Sequence, residues 1–142
     1  GKKNIDLIVE PGRFIAGPAV QLETEVISAY DGKIIVNCSV YQGNTDAIFQ
    51  DALKLIVKGE LEEGNEYTIK GKTPCSLDMF RYKVKLPEVK VGDKIIFLNA
   101  GAYNFSTNFC RLKELKTEIV DWKLKRQKTE VPCLYLTEVK LY

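Results

Sequence analysis

Four consecutive residues, Glu10-Pro11-Gly12-Arg13, follow an apolar run at residues 5–9 and are the best candidates for a binding site. The guanidinium of Arg13 offers a planar fork of donors that fits the oxygens of a phosphate group. Pro11 and Gly12 predict a sharp turn, and Gly12 has no side chain to obstruct a bound phosphate. Glu10 stands at the carboxyl end of a predicted buried strand, where the ligands of α/β barrels collect. An ordinary Pro-Gly turn flanked by a surface ion pair explains the same four residues equally well.

The chain contains no histidine and has four widely spaced cysteines, Cys38, Cys75, Cys110 and Cys133. Without an imidazole there is no Ser-His or Cys-His nucleophile system, so any chemistry rests on carboxylate, tyrosine, lysine or thiol groups. The cysteines lack the close pairing of a structural zinc site, and no metal site is predicted. We expect reduced thiols and a cytoplasmic location, with a disulfide as the other interpretation.

The composition indicates one compact unit with a single core, because 45% of the 142 residues are hydrophobic. The 21 basic and 19 acidic residues are interspersed and give a net charge of +2, which disfavours nucleic acid as a partner. A lysine-rich stretch at residues 123–128 is interpreted as a solvated strand or turn. No apolar stretch approaches the ~20 residues that span a bilayer, so no membrane partner is expected.

The sequence predicts mostly strands. Residues 5–9 form a short apolar run typical of a buried parallel strand. Residues 20–30 alternate in polarity, and the Asp31-Gly32 turn predicts a hairpin with residues 33–40. At residues 45–57 the spacing of apolar residues changes to that of a helix. We predict this segment as the one helix, ended at Gly59. Further strands are predicted at residues 67–70, 80–86, 94–98, 118–124 and 134–141, which gives a β-barrel or sandwich.

Three further segments stand in an order and at a spacing that indicate a family. They are residues 71–78 (Gly-Lys-Thr-Pro-Cys-Ser-Leu-Asp), 86–93 (Leu-Pro-Glu-Val-Lys-Val-Gly-Asp) and 99–103 (Asn-Ala-Gly-Ala-Tyr). Together with Glu10-Pro11-Gly12-Arg13, these segments resemble the fold type III pyridoxal-phosphate amino-acid decarboxylases, the ornithine, arginine and diaminopimelate decarboxylase group.

The resemblance implies a mainly β fold, a Greek-key-like β-barrel of the alanine racemase C-terminal type with one short helix. In this division, residues 14–142 are the C-terminal β-barrel domain. Residues 1–13 are the last strand and the cofactor turn of a TIM-type α/β barrel that is absent from the chain.

The resemblance also implies roles for individual residues, with pyridoxal 5'-phosphate as the cofactor. Glu10 faces the ring nitrogen, where a carboxylate favours the protonated pyridinium. Gly12, Arg13 and Tyr103 bind the cofactor phosphate. Tyr41 belongs to a Val-Tyr segment near the active site and is the candidate substrate-binding residue.

The candidate catalytic residue is Cys75, one place after the family position of the thiol that reprotonates the decarboxylated product. Pro74 occupies the family position. Three interpretations stay open: the shifted thiol acts as the proton donor, the donor is lost, or Cys75 is a small buried apolar residue. The acidic residue that contacts basic substrates has no secure match, since Asp46 and Asp51 lie nearby but the spacing indicates Gln50.

The implied partners are an N-terminal α/β barrel of ~250 residues, as domain or subunit, a second copy in a homodimer, and an amino-acid substrate. The barrel supplies the lysine that carries the cofactor, a histidine on its ring and a glycine-rich phosphate loop. The chain alone is therefore expected to be inactive. A noncatalytic interaction or regulatory module with the same fold is the alternative, and a nucleic-acid-binding barrel is disfavoured.

Overall fold

The computed structural model describes residues 8–49, 54–103, 111–120 and 138–141. These residues contain three four-residue helices, α1 (Arg13–Ala16), α2 (Val40–Gly43) and α3 (Asp46–Phe49), and a 3-10 turn at Gly17–Ala19. The strands are β1 (Val20–Tyr30), β2 (Lys33–Val36), β3 (Ile56–Val57), β4 (Asn65–Lys70), β5 (Met79–Leu86), β6 (Lys94–Leu98), β7 (Thr117–Val120) and β8 (Glu138–Leu141). No helix among the described residues is long and apolar enough to cross a membrane.

The long strand β1 organises the sheet, whose order is β3-β6-β1-β2-β4-β5. The first half of β1 pairs antiparallel with β6 and parallel with β8, and its second half pairs antiparallel with β2. The register shifts between Val26 and Ser28, which is the position of a β-bulge. A bulge bends a strand and increases its twist, so β1 can belong to two differently oriented parts of one sheet.

The core lies inside the curve of this sheet. The predicted inner face of β1 is confirmed, since Val20, Leu22, Thr24 and Val26 are all buried, but Glu23 on the opposite face is buried as well. The rings of Phe80 on β5 and Phe97 on β6 stack with centroids 4.7 Å apart, although the two strands are far apart in the sheet order. The sheet therefore curls into a barrel-like shape, and the predicted mainly β fold class is confirmed.

The predicted helix at residues 45–57 is wrong in its extent. Helix α3 covers only its beginning, residues 50–53 lie outside the described residues, and Ile56 and Val57 form β3. Ile56 pairs with Leu98 and Val57 with Phe97 of β6. Ladder pairing of these two β-branched residues overrides the helical periodicity of their neighbours.

The segment between β2 and α3 also differs from the prediction. The strand predicted to continue to residue 40 ends at Val36, and helix α2 follows it. Ser39 begins α2 with a capping box: its hydroxyl accepts from the Tyr41 amide, and the Gln42 side chain accepts from the Ser39 amide. Both bonds satisfy amides that the first turn of a helix leaves unpaired.

At the N-terminal end, the strand predicted at residues 5–9 is absent at its two described positions. Ile8 and Val9 have no regular secondary structure and are 86% and 68% exposed. A strand requires a neighbouring ladder for its backbone groups, and the described residues provide none here. The division at residue 13 stays a prediction, as do the segments predicted within residues 121–137, which lie outside the described residues.

Gly101 holds the loop after β6 against α1. A Cβ atom on Gly101 would lie 1.8 Å from the carbonyl oxygen of Ala16, so no other residue fits without a backbone shift. The Gly101 amide donates to the carbonyl of Gly17 at 3.0 Å, and the Ala100 amide donates to the carbonyl of Val20 at 2.9 Å. Ala102 and Tyr103 are therefore held beside α1.

We predict that Gly101→Ala lowers the free energy of unfolding by about 1–3 kcal/mol, because the added methyl group overpacks this contact. Gly17→Ala is the matched control, since its Cβ would meet no atom closer than 3.6 Å. Urea unfolding followed by circular dichroism measures both variants. Equal stability of the two variants would contradict the close packing at Gly101.

Candidate functional site

Three of the predicted cofactor residues, Gly12, Arg13 and Tyr103, lie together although some 90 residues separate them in sequence. The guanidinium carbon of Arg13 is 5.2 Å from the centroid of the Tyr103 ring. Its Nη1 donates to the carbonyl of Ala102 at 3.4 Å. The Tyr103 hydroxyl lies 2.7 Å from where a Cβ of Gly12 would stand.

The local backbone explains this convergence. Arg13 is the first residue of α1, and Gly101 brings its own loop against that helix. Tyr103 then adopts a φ of 58°, in the left-handed region that few non-glycine residues occupy. Its side chain stays 71% exposed, so its hydroxyl remains accessible.

The donor set of this cluster fits a phosphate group. The guanidinium supplies charged N–H donors, the phenol supplies one O–H, and Gly12 lets the Tyr103 hydroxyl approach the backbone beside them. A side chain at position 12 would compete with the Tyr103 hydroxyl for the same space.

Asp46, the first residue of α3, joins this cluster. Nη2 of Arg13 donates to Oδ2 of Asp46 in an ion pair. Sequence reasoning considered Asp46 only as a possible substrate contact, and nothing in the spacing connected it to Arg13. We call Gly12, Arg13, Asp46 and Tyr103 the Arg13 cluster.

Glu10 is exposed and forms no hydrogen bond or ion pair with the part of the chain that the structure describes. Gln50 and Asp51, the other positions considered for substrate contact, lie outside that part. The predicted ring contact of Glu10 thus depends on groups beyond the described residues.

The second candidate site contains the shifted cysteine. The hydroxyl of Tyr41 on α2 and the thiol of Cys75 are hydrogen-bonded at 3.0 Å. They line an open cavity of about 400 Å³ with three other residues, Thr73, Pro74 and Leu112. We call this site the thiol cavity. The structure therefore brings together Tyr41 and Cys75, which sequence reasoning named separately.

The two described cysteines differ in chemistry, and both are free thiols. The hydrogen bond from Tyr41, followed by one from the Leu77 amide, lowers the pKa of Cys75 below its usual value. Burial raises the pKa of Cys38 to about 12. The interpretation as a small buried apolar residue therefore suits Cys38, whereas Cys75 is half-buried and polarised.

The carboxylate of Asp78 fixes the loop that carries Cys75. Asp78 is fully buried, and its two oxygens accept hydrogen bonds from the Val40 amide at 2.8 Å, the Thr73 amide at 2.9 Å and the Thr73 hydroxyl at 2.6 Å. These bonds connect α2 to the loop at residues 71–78. A Cβ on Gly71 would lie 2.0 Å from Oδ1 of Asp78, so glycine is required at that position.

The described residues contain no group of three or more histidine, cysteine, aspartate or glutamate side chains that could hold a metal ion.

Comparison with known proteins identifies the family. Residues 14–101 match the family described as "Pyridoxal-dependent decarboxylase, C-terminal sheet domain". The diaminopimelate decarboxylase of Methanothermobacter thermautotrophicus is 32% identical over 111 residues, which cover 70% of this chain and 24% of that protein. Antizyme inhibitor 2 of Xenopus laevis is 30% identical over 128 residues, which cover 75% and 28%.

Among solved structures, the lysine/ornithine decarboxylase of Vibrio vulnificus, complexed with putrescine, has a TM-score of 0.61 and 27% identity. The alignment covers 74% of this chain and 30% of that one. The chain belongs to the pyridoxal-dependent decarboxylase family, whose C-terminal sheet domain it contains. It spans 24% to 30% of the length of these relatives.

The first prediction from the site concerns Asp78. We expect Asp78→Ala to lower the free energy of unfolding by about 2–4 kcal/mol, because hydrogen bonds to a charged group are lost and buried amides are left unpaired. Asp93→Ala is the control, since Asp93 accepts one bond from the Lys90 amide at an exposed turn. If urea unfolding gives equal losses for the two variants, the anchoring role of Asp78 is wrong.

The second prediction concerns the thiol. Because the Tyr41 hydroxyl lowers the pKa of Cys75, Tyr41→Phe should move the onset of Cys75 alkylation by iodoacetamide to higher pH. Peptide mass spectrometry separates Cys75 from the other cysteines, and Cys38 should stay unreactive near neutral pH. Tyr82→Phe, an exposed change on β5, should leave the profile as in the wild type. An unchanged profile in Tyr41→Phe would remove Tyr41 from the thiol's environment.

Proposed function

We propose that this chain supplies the phosphate-binding and proton-donating side of a pyridoxal-phosphate-dependent amino-acid decarboxylase. The observation that supports this most is the convergence of Gly12, Arg13 and Tyr103, because these are the residues expected to hold the cofactor phosphate. An α/β barrel, present as another domain or subunit in a cytoplasmic homodimer, supplies the lysine that carries the cofactor, a histidine on its ring and a glycine-rich phosphate loop.

The roles divide between the two sites. Pyridoxal phosphate supplies a protonated ring that accepts the electron pair left when carbon dioxide departs. Arg13 and Tyr103 would bind the phosphate by charge-assisted hydrogen bonds, and the Glu10 carboxylate would hold the proton on the ring nitrogen. These residues set the position and the charge of the ring.

Cys75 delivers a proton from Sγ to the substrate carbon after carbon dioxide leaves, acting across the dimer interface. The hydrogen bond with Tyr41 orients this thiol, and the open cavity beside the pair gives an amino-acid substrate access to it. Tyr41 then serves as the residue that borders the substrate.

The surface around the Arg13 cluster supports a barrel partner. Ile8, Val9, Phe14 and Phe49 are between 68% and 86% exposed near this cluster in sequence. Apolar side chains of this size are costly to leave in water, so a protein surface that covers them stabilises the complex. The relatives, of which this chain spans about a quarter to a third, are long enough to contain such a partner.

A noncatalytic regulatory module is the second candidate. Pro74 occupies the expected thiol position. One relative, antizyme inhibitor 2, has a name that describes inhibition rather than decarboxylation. A fold can persist after its chemistry is lost, so the family alone does not decide between the two.

The deciding experiment combines this chain with the separately expressed barrel domain of the Methanothermobacter thermautotrophicus relative. We expect copurification, uptake of pyridoxal phosphate, and decarboxylation of at least one of ornithine, lysine, arginine and diaminopimelate. The chain alone should neither attach the cofactor covalently at one saturable lysine nor release carbon dioxide.

Two variants separate the roles in this complex. Cys75→Ala should lower turnover by about a hundredfold or more with cofactor affinity unchanged, as loss of a general acid predicts. Arg13→Ala should weaken cofactor binding by about 1.5–3 kcal/mol. Turnover that is restored by the barrel and unaffected by Cys75→Ala would show that another group donates the proton. Copurification without turnover on any substrate would favour the regulatory module.

A further inference from the structure

The guanidinium of Arg13 is already engaged within the described chain. Nη2 donates to the carboxylate of Asp46, and Nη1 donates to the carbonyl of Ala102. These two nitrogens form the outer edge of the guanidinium, which gives bidentate bonds to an anion. A phosphate that takes the same N–H of Nη2 therefore replaces Asp46 as its acceptor.

The pair also changes the charge of the site. One arginine with one aspartate has no net charge, so the Arg13 cluster attracts a phosphate less than a lone guanidinium does. The side chain of Arg13 is 38% exposed and that of Asp46 is 20% exposed, so water screens the pair only in part. A dianionic phosphate has three oxygens and two charges with which to compete against one carboxylate.

We propose that Asp46 is an internal competitor for the Arg13 guanidinium. Its carboxylate occupies the acceptor position when no phosphate is bound, and it sets how tightly a phosphate group binds to the Arg13 cluster. This inference rests on the proposed function, because it takes the phosphate group of the cofactor as the natural anion.

A positioning role for Asp46 predicts the opposite change in phosphate affinity. If Asp46 positioned Arg13 for phosphate, its removal would let the guanidinium swing away and would weaken binding. Competition predicts that removal of the carboxylate strengthens binding. The sign of the change in affinity therefore distinguishes a competitor from a positioning residue.

The test titrates inorganic phosphate into the 142-residue chain and follows the NMR signals of the Gly12 amide and the Tyr103 ring. We expect Asp46→Asn to bind phosphate about two- to fivefold more tightly than the wild type, the range given by loss of a partly exposed ion pair. Asp46→Ser removes the same charge and keeps a residue type that favours helix starts, so it repeats the test if Asp46→Asn folds poorly.

Two controls complete the test. Asp31→Asn makes the same change of net charge in the β1–β2 turn, where asparagine tolerates the φ of 45°, and should leave the affinity at the wild-type value. Arg13→Ala in the Asp46→Asn background should abolish binding. A phosphate affinity equal to or weaker than the wild-type value in both Asp46 variants would overturn the proposal. The absence of measurable binding in every protein tested would overturn it as well. The barrel plays no part in this titration, so its result is independent of whether the complex decarboxylates a substrate.

Discussion

A buried carboxylate needs hydrogen-bond donors from the protein, and the donors that bind Asp78 determine the geometry of the thiol cavity. Its oxygens accept from Val40 on α2 and from Thr73 in the loop at residues 71–78. Burying this charge unpaired would cost several kcal/mol, so the loop and the helix keep their relative position. Tyr41 directly follows Val40, and Cys75 stands two residues after Thr73. The Tyr41 hydroxyl and the Cys75 Sγ therefore lie 3.0 Å apart. The hydrogen bond that polarises the thiol thus depends on the Asp78 carboxylate, which bonds to Val40 and Thr73.

The segment from α2 to α3 connects the two candidate sites. Tyr41 lies at its beginning and lines the thiol cavity, and Asp46 lies five residues later and contacts Arg13. The capping box at Ser39 and the bond from Val40 to Asp78 fix the beginning of this segment. The other end is held by packing, since Ile48 of α3 lies against the hydrophobic core, so the segment keeps Tyr41 and Asp46 at a fixed separation.

Sequence reasoning succeeded where local pattern and close packing act together. The alternation of β1 identified its buried face, and the paired motifs around Arg13 and Tyr103 indicated one site, because Gly101 allows the two loops to touch. It failed where pairing between residues far apart in sequence determines the structure. The helical period after residue 45 could not reveal that β6 would recruit Ile56 and Val57 into a strand. The contact between Asp46 and Arg13 was equally invisible, since two charges 33 residues apart carry no spacing signal.

Pro74 and Cys75 bear most directly on whether the domain keeps its family's chemistry. A proton donor must hold its proton at the working pH, whereas the Tyr41 bond lowers the pKa of Cys75 and so favours the thiolate. The same bond that orients the thiol therefore sets an upper pH limit on its action as an acid. Below that limit the thiol of Cys75 keeps the proton that it would donate from Sγ. A substrate in the cavity would act in the opposite direction, because exclusion of water raises the pKa of a thiol and keeps the proton on Sγ.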